Sequence, residues 1–350
     1  MRESHPATIP PVDRKCVIGV DLGGTNVRAG AFYEDGSEAG ESFSNPSNAQ
    51  HGVSAVLEAV AKTVLEAEAA AKTKPTSVGL AIPGHIDDVA GSVVWAPNFG
   101  EEINGVFSYW KNVSIREPLS KLITLPLHMG NDANLAALGE YKFGSGKNSA
   151  NCLVMITLGT GVGGGVVLAP ASVQGQSRGP LVLLGGNKGG VELGHTIVSY
   201  QGPDCNAGEY GSLEGYIGRD AIIRRAQHRL NRGRKSLLSD LVGGDFSKLT
   251  PLHLSEAAEK GDEVSIEIFE EVGTMLGVGI ANFITTFAPD IVAVGGQIAK
   301  AGELILGPAR KTARNIAIPS LFDDARIILA EQIGEAGMLG GAALALESGE

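Results

Sequence analysis

Across its 350 residues the chain carries a formal net charge of −11, 43% hydrophobic residues, 49 glycines and only 5% aromatics. That balance excludes a disordered chain and argues against a general nucleic-acid or anionic-membrane binder. The length allows about two domains with sizeable cores, and so much glycine suits an α/β protein rich in tight strand–loop–helix turns.

Cys16, Cys152 and Cys205 lack the spacing of a disulfide framework. The first two fall in apolar runs and read as small buried hydrophobes, so a reducing, cytoplasmic setting is expected. No apolar run approaches the ~18 residues of a membrane span, and residues 1–14 lack a signal-peptide core. The basic run Arg224, Arg225, Arg229, Arg232, Arg234 and Lys235 reads as a solvated helix end and loop.

In chain order, residues 1–14 form a loose tail and Cys16 to Val20 a buried strand. Asp21-Leu22-Gly23-Gly24-Thr25-Asn26 turns the chain, and Val27 to Tyr33 return as a second strand. Residues 51–72 make an amphipathic helix, with Val53, Val56, Leu57, Val60 and Val64 on one stripe. Val78 to Ile82 form a strand ending at Pro83-Gly84, and residues 114–125 are expected to be helical. An apolar approach over residues 123–129 leads to the polar turn Gly130-Asn131-Asp132-Ala133-Asn134, after which a small-residue helix runs to about Phe143. The pattern then repeats. Cys152 to Ile156 form a strand, Thr157-Leu158-Gly159-Thr160-Gly161 a turn and Gly165 to Leu168 a returning strand. Two related α/β halves separated by a cleft follow from this duplication. Residues 172–191 and 201–212 are loops, 213–230 and 252–260 helices, and 263–287 a long helix. Ile291 to Val294 form a strand ending in Gly295-Gly296, and residues 337–346 a closing helix.

Asp132 lies at or near a helix N-terminus, where unpaired backbone N–H groups favour a carboxylate. It either caps the helix or accepts a proton from a substrate hydroxyl. Gly159, Gly161 and Gly164 spell G-x-G-x-x-G, but a strand follows where a dinucleotide site needs a helix, and residues 179–189 contain no acid. A Walker loop is absent. Two glycine turns, one in each half, are better suited to clamping phosphates through backbone N–H groups, with Thr25 and Thr160 adding hydroxyls. Asp21 adds an oxygen ligand for phosphate-bound Mg²⁺, directly or through water.

These residues, with Arg28, Pro83-Gly84, Gly163 to Gly165, Glu192-x-Gly194-His195 and Val294-Gly295-Gly296, resemble the ROK family of sugar kinases and repressors within the hexokinase–actin superfamily. The resemblance spans about residues 15–345 and implies two related α/β domains with mixed central sheets and an interdomain cleft, the actin-like ATPase (ribonuclease H-like) fold. Residues 15–134 would form the smaller domain, with helix 337–346 packing back on it, and residues 135–336 the larger. It implies an ATP- and Mg²⁺-dependent hexose 6-phosphotransferase, a homodimer, with Asp132 as general base. The sugar contacts would be Gly84, Asn98, Asn131, Asp132, Glu192, His195 and Glu214. Asp21, Gly23, Gly24, Thr25, Asn26, Gly159, Thr160, Gly161, Gly295 and Gly296 would hold the nucleotide. Such amide and carboxylate groups suit a ring of hydroxyls that both donate and accept.

The family's structural zinc is held by that histidine and three cysteines. Here Ala207 and Ser212 stand at two of the cysteine positions and only Cys205 remains, short of the four ligands zinc takes. No structural zinc is expected; Asp204 or Glu209 replacing a thiolate is the lesser alternative, since carboxylates bind zinc but neither residue occupies a lost cysteine position. Tyr210, Leu213 and backbone hydrogen bonds are expected to hold the loop instead. Glucose is the expected substrate. N-acetylmannosamine, N-acetylglucosamine or fructose as acceptor and polyphosphate as donor are the alternatives. A sugar-responsive repressor is the remote one, since only about 14 residues precede the first strand.

Overall fold

The computed structural model describes residues 14–147, 149–173, 179–185, 189–205 and 208–348. Residues 1–13 of the expected tail and parts of the loop over 172–191 lie outside that set. Arg14 is anchored, its guanidinium lying 3.8 Å above the Tyr33 ring.

The elements run β1 (Cys16–Leu22), β2 (Asn26–Tyr33), β3 (Phe43–Pro46), α1 (Gly52–Ala70), β4 (Val78–Ile82), β5 (His85–Asp87), β6 (Ser92–Ile103), β7 (Val106–Ser114), α2 (Arg116–Leu119), β8 (Leu127–Asn131) and α3 (Asp132–Phe143). They continue with β9 (Cys152–Leu158), β10 (Val162–Leu168), β11 (Leu181–Val182), α4 (Leu213–Ile217), α5 (Arg219–Asn231), α6 (Leu238–Leu241), α7 (Pro251–Glu259), α8 (Glu263–Phe287), β12 (Ile291–Gly295), α9 (Glu303–Ile316), α10 (Pro319–Asp324), β13 (Arg326–Leu329) and α11 (Ala336–Glu347).

Two five-stranded sheets share one design. Their orders are β3-β2-β1-β4-β8 and β11-β10-β9-β12-β13. In each, the first strand of the half pairs antiparallel with its hairpin partner and parallel with the next strand inward. The duplication read from the two glycine turns is thus a duplication of mixed sheets. Strands β1, β4, β9 and β12 are apolar runs buried along nearly their whole length, as expected of sheet centres covered on both faces.

Helices α3 and α11 lie between the sheets, and small residues let them approach. A Cβ on Gly340 or Gly341 of α11 would collide with the backbone of Leu135 or Gly79. Gly163 and Gly165 of β10 face Ala133 and Ala137 of α3, where an added Cβ would come within 2.8 Å. Part of the glycine run after the second turn therefore serves helix packing. Glu140, fully buried on α3, accepts backbone N–H groups from Ser145, Glu331 and Gln332 at 2.9, 2.9 and 3.1 Å, tying α3 to the segment that enters α11.

Three local expectations change. The helix expected over 114–125 contracts to α2, because β7 runs through Ser114 and Pro126 precedes β8. Ile115, Leu119 and Ile123 are still buried, but Leu122 is exposed. The helix over 213–230 is broken at Gly218, whose ψ of 160° is extended, into α4 and α5. The segment between Gly84 and Ser114, which carries no helical or strand reading in the sequence, forms the antiparallel sheet β5-β6-β7. The basic run lies on and after α5, where Arg225 and Arg229 pair with Glu271 and Arg234 with Glu267. Cys16 and Cys152 are buried, and burial pushes the Cys152 thiol up to about 12. Among the described residues no helix is long and apolar enough to cross a membrane.

Candidate active site

β8 delivers the polar turn to the edge of the first sheet, and α3 starts at once. Asn131, not Asp132, is the N-cap: its Oδ1 accepts the Asn134 N–H at 3.0 Å, while its Nδ2 donates to the Gly84 carbonyl at 2.9 Å. Asp132 is the first helical residue and its Oδ1 accepts the Ala133 N–H at 2.9 Å. The capping alternative for Asp132 therefore falls to its neighbour. Burial, aided by the negative charges of Asp21 and Glu192 and opposed by the Ala133 N–H, raises the Asp132 carboxyl to about 6. A carboxylate of that basicity, with Oδ2 unclaimed by another element, is suited to accept a proton near neutral pH.

The two turns differ in how much of their glycine content packing explains. A Cβ on Gly24 would meet nothing within 4 Å, and one on Gly159 only the Gly161 carbonyl at 4.0 Å. Neither has a positive φ. Glycine there leaves open space beside backbone N–H groups, as an approaching phosphate requires. Gly23 is more constrained, its Cβ position lying 3.2 Å from the Asn26 carbonyl. Thr25, Asn26 and Thr160 are exposed at these turns. Gly161 lies against the Glu214 carboxylate, whose Oε2 accepts the Val162 N–H at 2.9 Å. Gly296, at φ +87°, packs on the Leu158 backbone, and Gly295 on Met155 and Ala330. Gly84, at φ +109°, packs on the Trp95 carbonyl. Backbone geometry accounts for Gly296 and Gly84, and side-chain packing for Gly295.

Asp21, the penultimate residue of β1, lies opposite Arg28 in the register, its carboxylate packed on Gly337. Burial raises its pKa, and Arg28 opposes the rise. No hydrogen-bond donor among the described residues reaches the carboxylate, so its oxygens remain available to a cation or its water shell. This donor set fits an Mg²⁺ ion carried in on phosphate.

Beside the second turn lies a cavity of about 450 Å³ lined by Gly159, Thr160, Arg219, Leu252, Ile298 and Lys300, among others. Its walls mix aliphatic surface with two cations. Sequence reading pointed to only its glycine rim, because the rest comes from separate segments of the second half.

The set expected to contact the sugar is assembled unevenly. Between Ala96 and Gly100 the β6–β7 register slips, leaving Pro97, Asn98 and Phe99 without cross-strand partners. Asn98 sits exposed in that bulge. Such bulges re-aim side chains. Glu192 is exposed and acts on Asp132 through charge. His195, Cys205 and Glu214 gather with their donor atoms within 4.8 Å of one another. Asn131 has both oxygen lone pairs on Asn134 and one N–H on Gly84, so a single N–H remains for a ligand.

The residues do not fit the family's structural zinc. Ser212 is fully buried and its hydroxyl caps α4 by accepting the Gly215 N–H at 3.3 Å. Glu209, set aside in the sequence because it replaces no cysteine, reaches His195 Nδ1 at 2.7 Å. That contact has the length of a hydrogen bond, well short of the roughly 3.3 Å between ligands of a tetrahedral zinc. Leu213 is fully buried, whereas Tyr210 is 68% exposed and joins the loop through its backbone bridge to Asp204.

Comparison with known proteins places the chain in a family. The family model described as "ROK family" matches residues 17–348. A glucokinase of Thermotoga maritima is 34% identical over 332 residues, covering 95% of this chain and 97% of its own. A ROK family glucokinase from Streptomyces griseus, solved with glucose and AMPPNP, superposes with a TM-score of 0.77 at 31% identity, covering 95% of this chain and 99% of that one. A xylose repressor of Caldicellulosiruptor bescii is 28% identical, covering 75% of this chain and 60% of its own. With a family model matched over nearly its full length and the paired-sheet architecture of a solved member, this chain belongs to the ROK family.

Proposed function

We propose that this protein is an ATP-dependent glucokinase that transfers the γ-phosphoryl group to the 6-hydroxyl of glucose. The observation that carries the reading is Asp132, a carboxylate raised to about 6 at the first residue of α3 by burial and by the charges of Asp21, beside the first glycine turn, and Glu192. Asp132 takes the hydroxyl proton as the oxygen attacks in line. Backbone N–H groups at Gly24, Thr25 and Gly161 hold the phosphates, with Thr25 and Thr160 hydroxyls beside them. Asp21 would hold Mg²⁺, which when bound neutralises phosphate charge. The transition state of phosphoryl transfer is loose, so positioning and charge stabilisation outweigh activation of the nucleophile.

Asn98, the remaining Asn131 N–H, Glu192, His195 and Glu214 orient the ring. Glu214 joins the two subsites, because the oxygen that accepts the Val162 N–H shapes the phosphate turn while the other, without a hydrogen bond among the described residues, can take a hydroxyl. The cavity beside Thr160 accepts the nucleoside, and its aliphatic walls favour ATP over polyphosphate as donor. Closure over the sugar would exclude water and limit ATP hydrolysis.

A coupled assay across glucose, fructose, mannose and the N-acetylated hexosamines, with ATP and polyphosphate as donors, tests the reading. The highest kcat/KM is expected for glucose with ATP. Greater efficiency with another hexose or with polyphosphate would refute that assignment.

A further inference from the structure

The loop between His195 and α4 closes through its own backbone. Cys205 N donates to the Glu209 carbonyl at 2.9 Å and Gly208 N to the Cys205 carbonyl at 3.0 Å, and Gly208 takes φ +87°. Gly211 N donates to the Pro203 carbonyl at 2.7 Å, Val198 N to that of Gly211 at 2.8 Å and Leu213 N to that of Thr196 at 2.9 Å. These bonds bring Glu209 back across the loop. Its Oε2 lies 2.7 Å from His195 Nδ1 and 3.7 Å from Cys205 Sγ, which is itself 3.9 Å from Nδ1.

We infer that Glu209 is a positioning residue for the sugar site: its hydrogen bond to Nδ1 orients the His195 ring, a task the family's zinc would otherwise perform. The inference rests on the reading of His195 as a hexose contact. Gly194 is packed so closely on Val162 that its Cα has no room for a side chain, so the backbone leading into His195 is fixed. What is left to set is the ring's rotation. An ionised Glu209 can only accept, so the neutral imidazole carries its proton on Nδ1. Nε2 is then an acceptor with a defined direction, matched to a sugar hydroxyl donor. The same logic fixes metal-bound histidines through the nitrogen opposite the metal. Here a carboxylate holds Nδ1 and leaves Nε2 to the site. Cys205 is a neighbour of this pair and need not be a thiolate.

Three measurements on the full chain test this. Elemental analysis of protein purified without chelator should find well under one zinc per chain; stoichiometric zinc would overturn the inference. Long-range ¹H–¹⁵N spectra in mildly alkaline buffer, with His195 assigned by its loss in His195→Ala, should show the Nδ1–H tautomer in the wild type and a shift toward the other in Glu209→Ala. An unchanged tautomer would overturn it, whatever the substrate proves to be. Kinetically, Glu209→Ala should raise KM for the hexose about tenfold with kcat within about threefold, as for a lost hydrogen bond to a charged group. Glu209→Gln, which keeps an acceptor oxygen, should recover most of that loss, and Glu209→Ala should add nothing in a His195→Ala background. Additive effects there would refute action through His195. If the wild type phosphorylates no hexose while the tautomer behaves as stated, the reading of the site fails and the Glu209–His195 pairing stands.

Discussion

Replacing Asp132 by Asn keeps the shape of the side chain and removes the proton acceptor. The Ala133 N–H that reaches Oδ1 at 2.9 Å can still find the amide oxygen. A positioned general base contributes roughly 10²–10⁴ in rate, so kcat should fall at least ~10²-fold while glucose affinity by calorimetry stays within about threefold. The same substitution has a sign in stability. Because the folded carboxyl is raised from 3.8 to about 6, the fold favours the protonated form. Stability is undiminished below pH ~4, declines as pH climbs through about 6 and is then constant. The full shift corresponds to about 3 kcal/mol. Since the side chain is partly open to the cleft, about 1–3 kcal/mol is the working range. Asp132→Asn should therefore be more stable than the wild type in denaturant melts at pH 8, and equal to it near pH 4. In the wild type, kcat/KM should rise with pH through an acid limb near 6. Near-normal turnover in the variant, or an acid limb near 4, would refute the assignment of Asp132 as base.

Gly24→Val fills space that no protein atom occupies, so the melting temperature should hold while KM for ATP rises about tenfold or more; unchanged nucleotide titration would make this turn an ordinary hairpin. Gly161→Val should instead disturb both substrates, because its side chain meets the Glu214 carboxylate, and a purely ATP-side effect would contradict that link. Glu140→Ala leaves three backbone N–H groups without their acceptor in a buried site, a loss of about 3–5 kcal/mol by urea melts; under ~1 kcal/mol would show that water replaces the carboxylate freely. Cys205→Ser should leave activity and melting temperature nearly unchanged, and a large loss would mean the thiol matters beyond its contacts with His195 and Glu209.

Much was legible because it is local. The buried strands and their glycine turns are short-range patterns, and the repetition of Asp-Leu-Gly-Gly-Thr by Thr-Leu-Gly-Thr-Gly announced two copies of one sheet. Asp132 was legible as the carboxylate at a helix start, but which residue capped that helix depended on side-chain reach. The Asn131 side chain answers both Asn134 and Gly84, and only the latter contact crosses between segments.

The sequence by itself determined the strand-and-turn grammar, the paired halves and the polar groups available to a sugar and a phosphate. Tertiary structure decided what each polar group has left to give. Gly24 and Gly159 open onto free space, whereas Gly163 and Gly165 admit α3 and Gly296 accommodates the Leu158 backbone; spacing cannot separate these roles. The nucleotide-sized cavity draws on segments from Gly159 to Ala301. Glu209 reaches His195 because Gly208 turns the chain and Cys205 closes the loop over it. Periodicity and turn chemistry act over a few residues, whereas direction and free valence are set by whatever lies opposite, and that is known only once the chain has packed.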